Sequence, residues 1–225
     1  MSYPRSIKGI LLDYDGVLAD TMPDNHKAWA QAFAEHGVQI SQNEYYLLEG
    51  SGRLVVSQTL CRLHGIPLEN AESIARRKDE IMVHHSASKL FPSILPALQD
   101  WSNRSVALGL VTGASLSRVL AKIPKEVRDY FHVIVTSNDV THTKPDPEPY
   151  AKAIQRLGFP PEQCLVIENA PLGIRSAKAA GAYCFAIMTT LPKSYLLDAD
   201  LIFPDHEGCF QFIARLLHSQ HSPGS

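Results

Sequence analysis

The sequence has few cysteines, no long apolar run and no marked excess of either charge. Its four cysteines are too scattered for a Cys-x-x-Cys or Cys/His metal pattern, which indicates reduced, packed thiols as in cytoplasmic proteins. No apolar stretch approaches the length of a signal-peptide core or a membrane span. The formal net charge of −2 excludes the positive field that attracts nucleic acid or anionic membranes. We therefore expect a cytoplasmic protein that binds neither of them, and nothing in the sequence demands more than a monomer.

Short apolar strands alternate with helices over most of the 225 residues. The strand patterns lie at 7–13, 105–112, 133–135, 164–167, 182–187 and 200–203, and the helical patterns between and after them lie at 116–123, 147–157, 171–180 and 207–217. Strands that alternate with helices form a parallel sheet covered on both faces. The prediction is an α/β fold with a doubly wound parallel sheet.

A helical block interrupts this alternation directly after the first strand. Residues 23–88 carry little strand signal and show apolar positions at helical spacing, as in Ala28, Trp29, Ala32 and Phe33. We predict an α-helical cap at 23–88 inserted into a core formed by residues 1–22 and 89–217. The polar tail at 218–225 is predicted to be disordered.

Polar side chains follow several of the predicted strands, at the edge where open parallel sheets bind ligands. These residues are Asp13 and Asp15 after the first strand, Thr112, Gly113 and Ala114 after the second, Lys144 before the helix at 147–157, and Glu168 and Asn169 after the strand at 164–167. The sequence thus predicts that acids, a hydroxyl group and a lysine meet at one edge of the sheet.

This set of side chains suits a phosphomonoester as substrate. Asp13 could attack phosphorus and form an aspartyl-phosphate that water then cleaves. Asp15 could protonate the leaving oxygen and later take a proton from that water. Mg²⁺ prefers oxygen ligands, which Asp13 and Glu168 offer. Thr112 and the N–H groups of the turn after it could hold phosphate oxygens, and Lys144 could balance the collected negative charge.

Each of these signals also has an ordinary structural interpretation when it is taken alone. Asp-x-Asp at a strand end is commonly a turn, and Thr112-Gly113 before a helix is commonly an N-cap. Lys144 could be a solvated loop residue, and Glu168-Asn169 could belong to a capped helix start. Their order along the chain, each at a predicted strand end, favours the catalytic interpretation.

The segment from Asp13 to Thr21, together with Thr112, Lys144-Pro145 and Glu168, resembles the four motifs of the haloacid dehalogenase-like (HAD) hydrolase superfamily. The helical insert resembles the cap of the subgroup that contains β-phosphoglucomutase, phosphoglycolate phosphatase and sugar-phosphate phosphatases. The resemblance implies a mobile cap that closes over the substrate. It also implies Asp13 as nucleophile, Asp15 as acid and base, and Mg²⁺ held by Asp13, the Asp15 carbonyl and Glu168.

Departures from the family patterns narrow the expected reaction. Dehalogenases of this superfamily lack the second carboxylate, so Asp15 favours phosphate chemistry. Phosphonate hydrolases carry a cap lysine near 49–55, and this segment has none. β-Phosphoglucomutases have a histidine where this chain has Asn25, which cannot act as an acid or base at neutral pH. Asn169 stands where the group usually has Asp, so it is expected either to bind the metal more weakly or to cap a helix.

The cap offers Arg53 and Lys78 as candidates for holding an anionic substrate. Lys78 belongs to a charged run at 76–80 of a type that usually forms a solvated helix face. The resulting expectation is a Mg²⁺-dependent phosphatase acting on a small phosphorylated metabolite such as a sugar phosphate. The alternatives are a phosphosugar mutase resembling β-phosphoglucomutase and a non-catalytic HAD-like binding protein.

Overall fold

The computed structural model describes residues 4, 6–84 and 89–221 of the chain. Six strands form one sheet: β1 (Gly9–Leu12), β4 (Ala107–Val111), β5 (Val133–Val135), β6 (Cys164–Glu168), β7 (Tyr183–Ile187) and β8 (Leu201–Phe203). Their spatial order is β5-β4-β1-β6-β7-β8, and all neighbouring pairs are parallel. The prediction of a doubly wound parallel sheet is confirmed.

Six helices belong to this core: α5 (Ile94–Asn103), α6 (Leu116–Lys122), α7 (Lys125–Arg128), α8 (Glu148–Leu157), α9 (Pro171–Ala179) and α10 (His206–His221). Alternate residues of β1 pack into two separate clusters, since Leu11 belongs to one and Ile10 and Leu12 belong to the other. All three side chains are fully buried. The apolar run of β1 is therefore explained by helices on both faces of the sheet.

Four helices form the insert: α1 (Met22–Ala34), α2 (Gln42–Tyr46), α3 (Arg53–His64) and α4 (Ala71–His84). Trp29 and Phe33 of α1 are buried in the same cluster as Ile74 of α4, so the apolar stripe forms the interior of the cap. A two-stranded antiparallel ribbon joins cap and core through β2 (Ala19–Asp20) and β3 (Lys89–Leu90). The predicted domain boundaries lie close to this ribbon, and residues 85–88 lie outside the described part of the chain.

The prediction of a disordered tail is wrong for its first four residues. Helix α10 continues to His221 because its last turns still make contacts with the core. Leu217 is fully buried, and the Gln220 side chain accepts a hydrogen bond from the Ile7 amide at 3.1 Å. Residues 222–225 lie outside the described residues.

None of the described helices combines the length and apolarity needed to cross a bilayer. The four cysteines all lie in the described part of the chain, and each is buried with a free thiol.

Candidate active site

Asp13, Lys144 and Glu168 meet at the carboxyl edge of the sheet. Lys144 Nζ donates hydrogen bonds to Asp13 Oδ1 and Glu168 Oε1, both at 2.7 Å, and to the Val111 carbonyl at 3.3 Å. The three charged side chains are at most 5% exposed. Strand order explains why Asp13 and Glu168 meet, because β1 and β6 are neighbours and end at the same edge, and Lys144 reaches them from the segment between β5 and α8. The predicted convergence of these residues is what the structure shows.

Burial and neighbouring charges strongly shift the pKa values of Asp13 and Lys144. Burial raises the pKa of Asp13 well above its usual value; Glu168 and Asp15 add to this, while Lys144 opposes it. Burial alone would lower the pKa of Lys144, but the Asp13 and Glu168 carboxylates more than compensate and raise it. Lys144 is therefore a permanent cation here, and the alternative of a solvated loop lysine is wrong.

Glu168 is fixed by several hydrogen bonds besides that from Lys144. Tyr150 of α8 donates to its Oε1 at 2.7 Å, and the amides of Asn169 and Ala170 donate to its Oε2 at 3.0 and 3.2 Å. Gly173 of α9 lies against the same carboxylate, where a Cβ atom would come within 1.8 Å of Oε1. The glycine therefore leaves the space that the carboxylate occupies.

Asn169 presents an unused oxygen to the interior. Its side chain is fully buried, its Nδ2 donates to Thr190 Oγ1 at 3.1 Å, and its Oδ1 has no partner among the described residues. The N-cap position of α9 is Ala170, without a side-chain cap. The alternative that Asn169 caps the helix is therefore wrong, and its oxygen remains available as a ligand.

Asp15 lies under the cap and accepts three hydrogen bonds on the same oxygen. Thr21 Oγ1 is 2.5 Å, Asn25 Nδ2 is 3.0 Å and Arg118 Nη2 is 2.6 Å from Asp15 Oδ1. His26, one residue beyond Asn25, instead donates to the Ile40 carbonyl at 2.9 Å. Asn25 thus occupies the place beside Asp15 at which the mutase resemblance expects a histidine.

Thr112, Gly113 and Ala114 form the turn between β4 and α6. Thr112 Oγ1 accepts a hydrogen bond from the Ala114 amide at 3.0 Å, while Ser115 is the N-cap residue of α6. The alternative of Thr112-Gly113 as the helix cap is therefore wrong. A Cβ atom on Gly113 would lie 3.3 Å from the carbonyl oxygens of Gly50 and Ser51, so the cap covers this turn closely.

A cavity of about 560 Å³ lies between cap and core beside the carboxylates. Arg53, Lys78, Gly113, Ala114 and Arg118 are among its lining residues, whereas Asp13 and Asp15 are not. Both aspartates are only 4% exposed. The two aspartates therefore lie at the covered side of this space, and the cavity opens beside them.

The two predicted cap residues differ in their surroundings. Arg53 is exposed and pairs with Glu72 at 2.8 Å and Asp79 at 3.5 Å. Lys78 is 5% exposed, so the interpretation of its charged run as a solvated helix face is wrong at this position. Burial lowers the pKa of Lys78 to about 8.

Arg118, Tyr150 and Glu49 belong to the site but were not predicted as functional residues. Arg118 and Tyr150 lie inside core helices, where no strand end marks them. Glu49 lies in the loop after α2, where Tyr45 donates a hydrogen bond to its carboxylate. Burial, followed by the charge of Asp15, raises the pKa of Glu49 to about 7. In the sequence, Glu49 is marked only by being a charged residue next to Gly50.

The site and fold agree with what comparison with known proteins shows. A family model described as haloacid dehalogenase-like hydrolase matches residues 7–181. The chain belongs to this family. It is 31% identical over 179 residues to a fructose-1-phosphate phosphatase of Escherichia coli (strain K12), covering 77% of this chain and 92% of that protein.

Two further relatives of this HAD hydrolase cover most of its length. A validoxylamine A 7'-phosphate phosphatase of Streptomyces hygroscopicus subsp. limoneus is 29% identical over 208 residues, covering 88% of this chain and 93% of that protein. A solved structure of a proposed β-phosphoglucomutase from Bacteroides vulgatus is 30% identical with a TM-score of 0.85, covering 98% of this chain and 92% of that one. The predictions of HAD membership and of a phosphatase-type enzyme are confirmed.

Proposed function

We propose that this HAD hydrolase is a Mg²⁺-dependent phosphatase that hydrolyses a small phosphomonoester through an aspartyl-phosphate on Asp13. The observation that carries the proposal is the single ammonium of Lys144 bound to both Asp13 and Glu168 beneath a closed cap, with Asp15 beside them. Relatives that act on fructose 1-phosphate and validoxylamine A 7'-phosphate support a sugar phosphate or similar metabolite as substrate.

The donor set fits Mg²⁺. Asp13 and Glu168 supply buried carboxylate oxygens, and Asn169 Oδ1 is a buried oxygen without a partner among the described residues. The family resemblance adds the main-chain carbonyl of Asp15. When bound, the ion would neutralise charge on the phosphoryl group. Lys144 also balances negative charge there, because its ammonium already donates hydrogen bonds to the Asp13 and Glu168 carboxylates.

In this proposal the reaction proceeds as two successive displacements at phosphorus. A carboxylate oxygen of Asp13 attacks phosphorus while the bond to the ester oxygen breaks, and Asp15 gives the departing oxygen a proton. Asp15 then takes a proton from water, whose oxygen attacks the aspartyl-phosphate and releases inorganic phosphate and free Asp13. The turn from Thr112 to Ala114 and Lys144 hold the phosphoryl oxygens.

A phosphosugar mutase is the second candidate, supported by the likeness to the proposed β-phosphoglucomutase. A mutase must return the phosphoryl group to a second sugar hydroxyl, and the resemblance to mutases expects a histidine beside Asp15 to assist this transfer. Asn25 lies in that place instead. An amide does not serve as a base at neutral pH, which favours water as the acceptor. Glucose 1-phosphate distinguishes the two, since a mutase isomerises it without releasing phosphate.

The direct test is phosphate release by Asp13→Asn with Asp198→Asn as the matched control, because Asp198 is exposed. Wild type and the control should release phosphate from an aryl phosphate and from a panel of phosphometabolites only with Mg²⁺, and Asp13→Asn should release none. Turnover by Asp13→Asn would refute the assignment. A beryllofluoride adduct on Asp13 would exclude the non-catalytic binding protein.

A further inference from the structure

Two threonines that follow strand β7 contact the loop after β1 and the residue after β6. Thr189 Oγ1 donates a hydrogen bond to the Gly16 carbonyl at 2.7 Å, and Thr190 Oγ1 accepts one from Asn169 Nδ2 at 3.1 Å. Strand order explains the second contact, because β6 and β7 are parallel neighbours and end at the same edge of the sheet. Neither threonine belongs to the four motifs named above, so their place in the site comes from the structure.

The amide of Asn169 needs a neighbour that fixes its orientation if it is to bind a cation. An ionised carboxylate has two equivalent oxygens and offers one of them after either half-turn of its end group. An amide has a single oxygen, and a half-turn replaces that oxygen by an NH₂ group, which only donates hydrogen bonds. Asn169 can therefore serve Mg²⁺ only while its amide is held in one of its two orientations.

Packing against Gly16 decides where the end of the Asn169 side chain lies. The φ angle of Gly16 is +85°, and a Cβ atom there would lie 2.2 Å from Asn169 Nδ2. The glycine therefore leaves the space that the amide occupies, and Thr189 holds this turn through the Gly16 carbonyl. Because oxygen and NH₂ are similar in size, packing alone does not determine which of them lies against Gly16.

The hydroxyl of Thr190 determines the orientation of the amide. It donates its own proton toward the main-chain carbonyl of Asn169 at 3.5 Å, and its oxygen accepts from Asn169 Nδ2 at 3.1 Å. With its proton directed at the carbonyl, the hydroxyl offers a lone pair to the amide, which pairs with NH₂ and not with oxygen. Asn169 Oδ1 therefore remains the buried atom of this amide without a partner among the described residues.

We propose that Thr190 is a positioning residue that keeps the oxygen of Asn169, rather than its NH₂ group, available to Mg²⁺. The inference rests on the proposed function, which supplies the metal, and it adds a residue outside the four motifs. Thr190 acts through Asn169 and does not itself bind the ion. The same hydroxyl should matter much less beside an aspartate, because the two oxygens of a carboxylate are equivalent.

The test measures ion binding without substrate. The EPR signal of free Mn²⁺ gives the dissociation constant of Mn²⁺, and competition gives that of Mg²⁺. Thr190→Val removes the hydroxyl and should raise both constants at least about tenfold, the usual effect of losing a group that orients a metal ligand. Thr190→Ser keeps the hydroxyl and should stay within about threefold of wild type. The Mg²⁺ concentration for half-maximal phosphate release from an aryl phosphate should change in parallel.

A second pair of variants separates orientation of the amide from general support of the fold. In an Asn169→Asp background, Thr190→Val should change both dissociation constants by less than about threefold, since either orientation of a carboxylate presents an oxygen. Thr59→Val is the matched control, because the Thr59 hydroxyl donates to the Val55 carbonyl within the cap helix α3 and Thr59 does not line the cavity. It should bind both ions like wild type.

Thermal unfolding without metal establishes that each variant is folded, and Thr190→Ala takes the place of Thr190→Val if the latter does not fold. Equal losses of ion binding on Thr190→Val in wild type and in Asn169→Asp would show a merely structural role and would overturn the inference. Unchanged ion binding by Thr190→Val, in a wild type that needs Mg²⁺ to release phosphate, also overturns this inference only. A wild type that releases phosphate equally well without Mg²⁺, or releases none from any ester, overturns the proposed function.

Discussion

Replacing Lys78 by methionine should stabilise the protein. Lys78 is 5% exposed, its Nζ lies 5.5 Å from the centre of the Trp29 ring, and its nearest carboxylate oxygen is 3.8 Å away on Asp79. These contacts do not compensate for the loss of water around the ammonium, and the pKa falls from an ordinary 10.5 to about 8. Methionine keeps most of the packing volume and removes the charge.

The lowered pKa of Lys78 gives the size and the pH range of the effect. A shift from 10.5 to about 8 corresponds to about 3 kcal/mol of destabilisation by the charged form. Below pH 8 both folded and unfolded chains carry the proton and the cost is complete. Between about pH 8 and 10.5 the unfolded chain binds the proton and the folded chain releases it, so stability rises with pH, and above that range the cost is absent.

Urea unfolding at pH 7 and pH 10 measures the effect. At pH 7, Lys78→Met should be about 3 kcal/mol more stable than wild type, and the difference should shrink at pH 10. Arg76→Met, on the exposed face of the same helix, should change stability by less than about 0.5 kcal/mol. A Lys78→Met variant that is less stable than wild type, or a difference that does not depend on pH, would refute this reasoning.

Three further predictions concern the metal end of the site. Gly173→Ala should lower kcat/KM at least about tenfold and raise the Mg²⁺ concentration needed for phosphate release, because the added Cβ would lie 1.8 Å from Glu168 Oε1. Gly208→Ala is the control, since its added Cβ would lie 3.4 Å from the nearest atom. Tyr150→Phe should cost about 2 kcal/mol in the free energy of unfolding, because it removes a 2.7 Å hydrogen bond to a buried carboxylate, and an unchanged urea midpoint would contradict this. Asn169→Asp should lower the Mg²⁺ concentration for half-maximal phosphate release, since it adds negative charge beside two carboxylates, and an unchanged requirement would show that Asn169 does not limit metal binding.

The sequence predicted the core strands well because β1, β4 and β6 are buried on both faces and bounded by turn residues. Helix α5 was missed, although its Leu98 and Trp101 are buried, because no strand pattern at its start separated it from the cap. The two-residue strands β2 and β3 were missed because they are too short for any periodicity. The helical end at 218–221 was missed because its polar residues gain their order from a contact with Ile7, far away in sequence.

The predicted site residues share one property that sequence can reveal. Asp13, Thr112 and Glu168 follow strands that lie side by side, so the topology of the sheet is enough to bring them together. Arg118 and Glu49 depend instead on helix phase and on how the cap closes over the core. Those relations follow from packing between distant segments, which the order of residues along the chain does not display.

Seven ionisable side chains, most of them buried, lie together under the cap. Four acidic side chains meet three basic ones there: Asp13, Asp15, Glu49 and Glu168 with Lys78, Arg118 and Lys144. Buried charges are costly when they are unpaired, and this near balance limits the cost in the free protein. Because Mg²⁺ and a phosphate dianion carry equal and opposite charges, binding both leaves the balance unchanged.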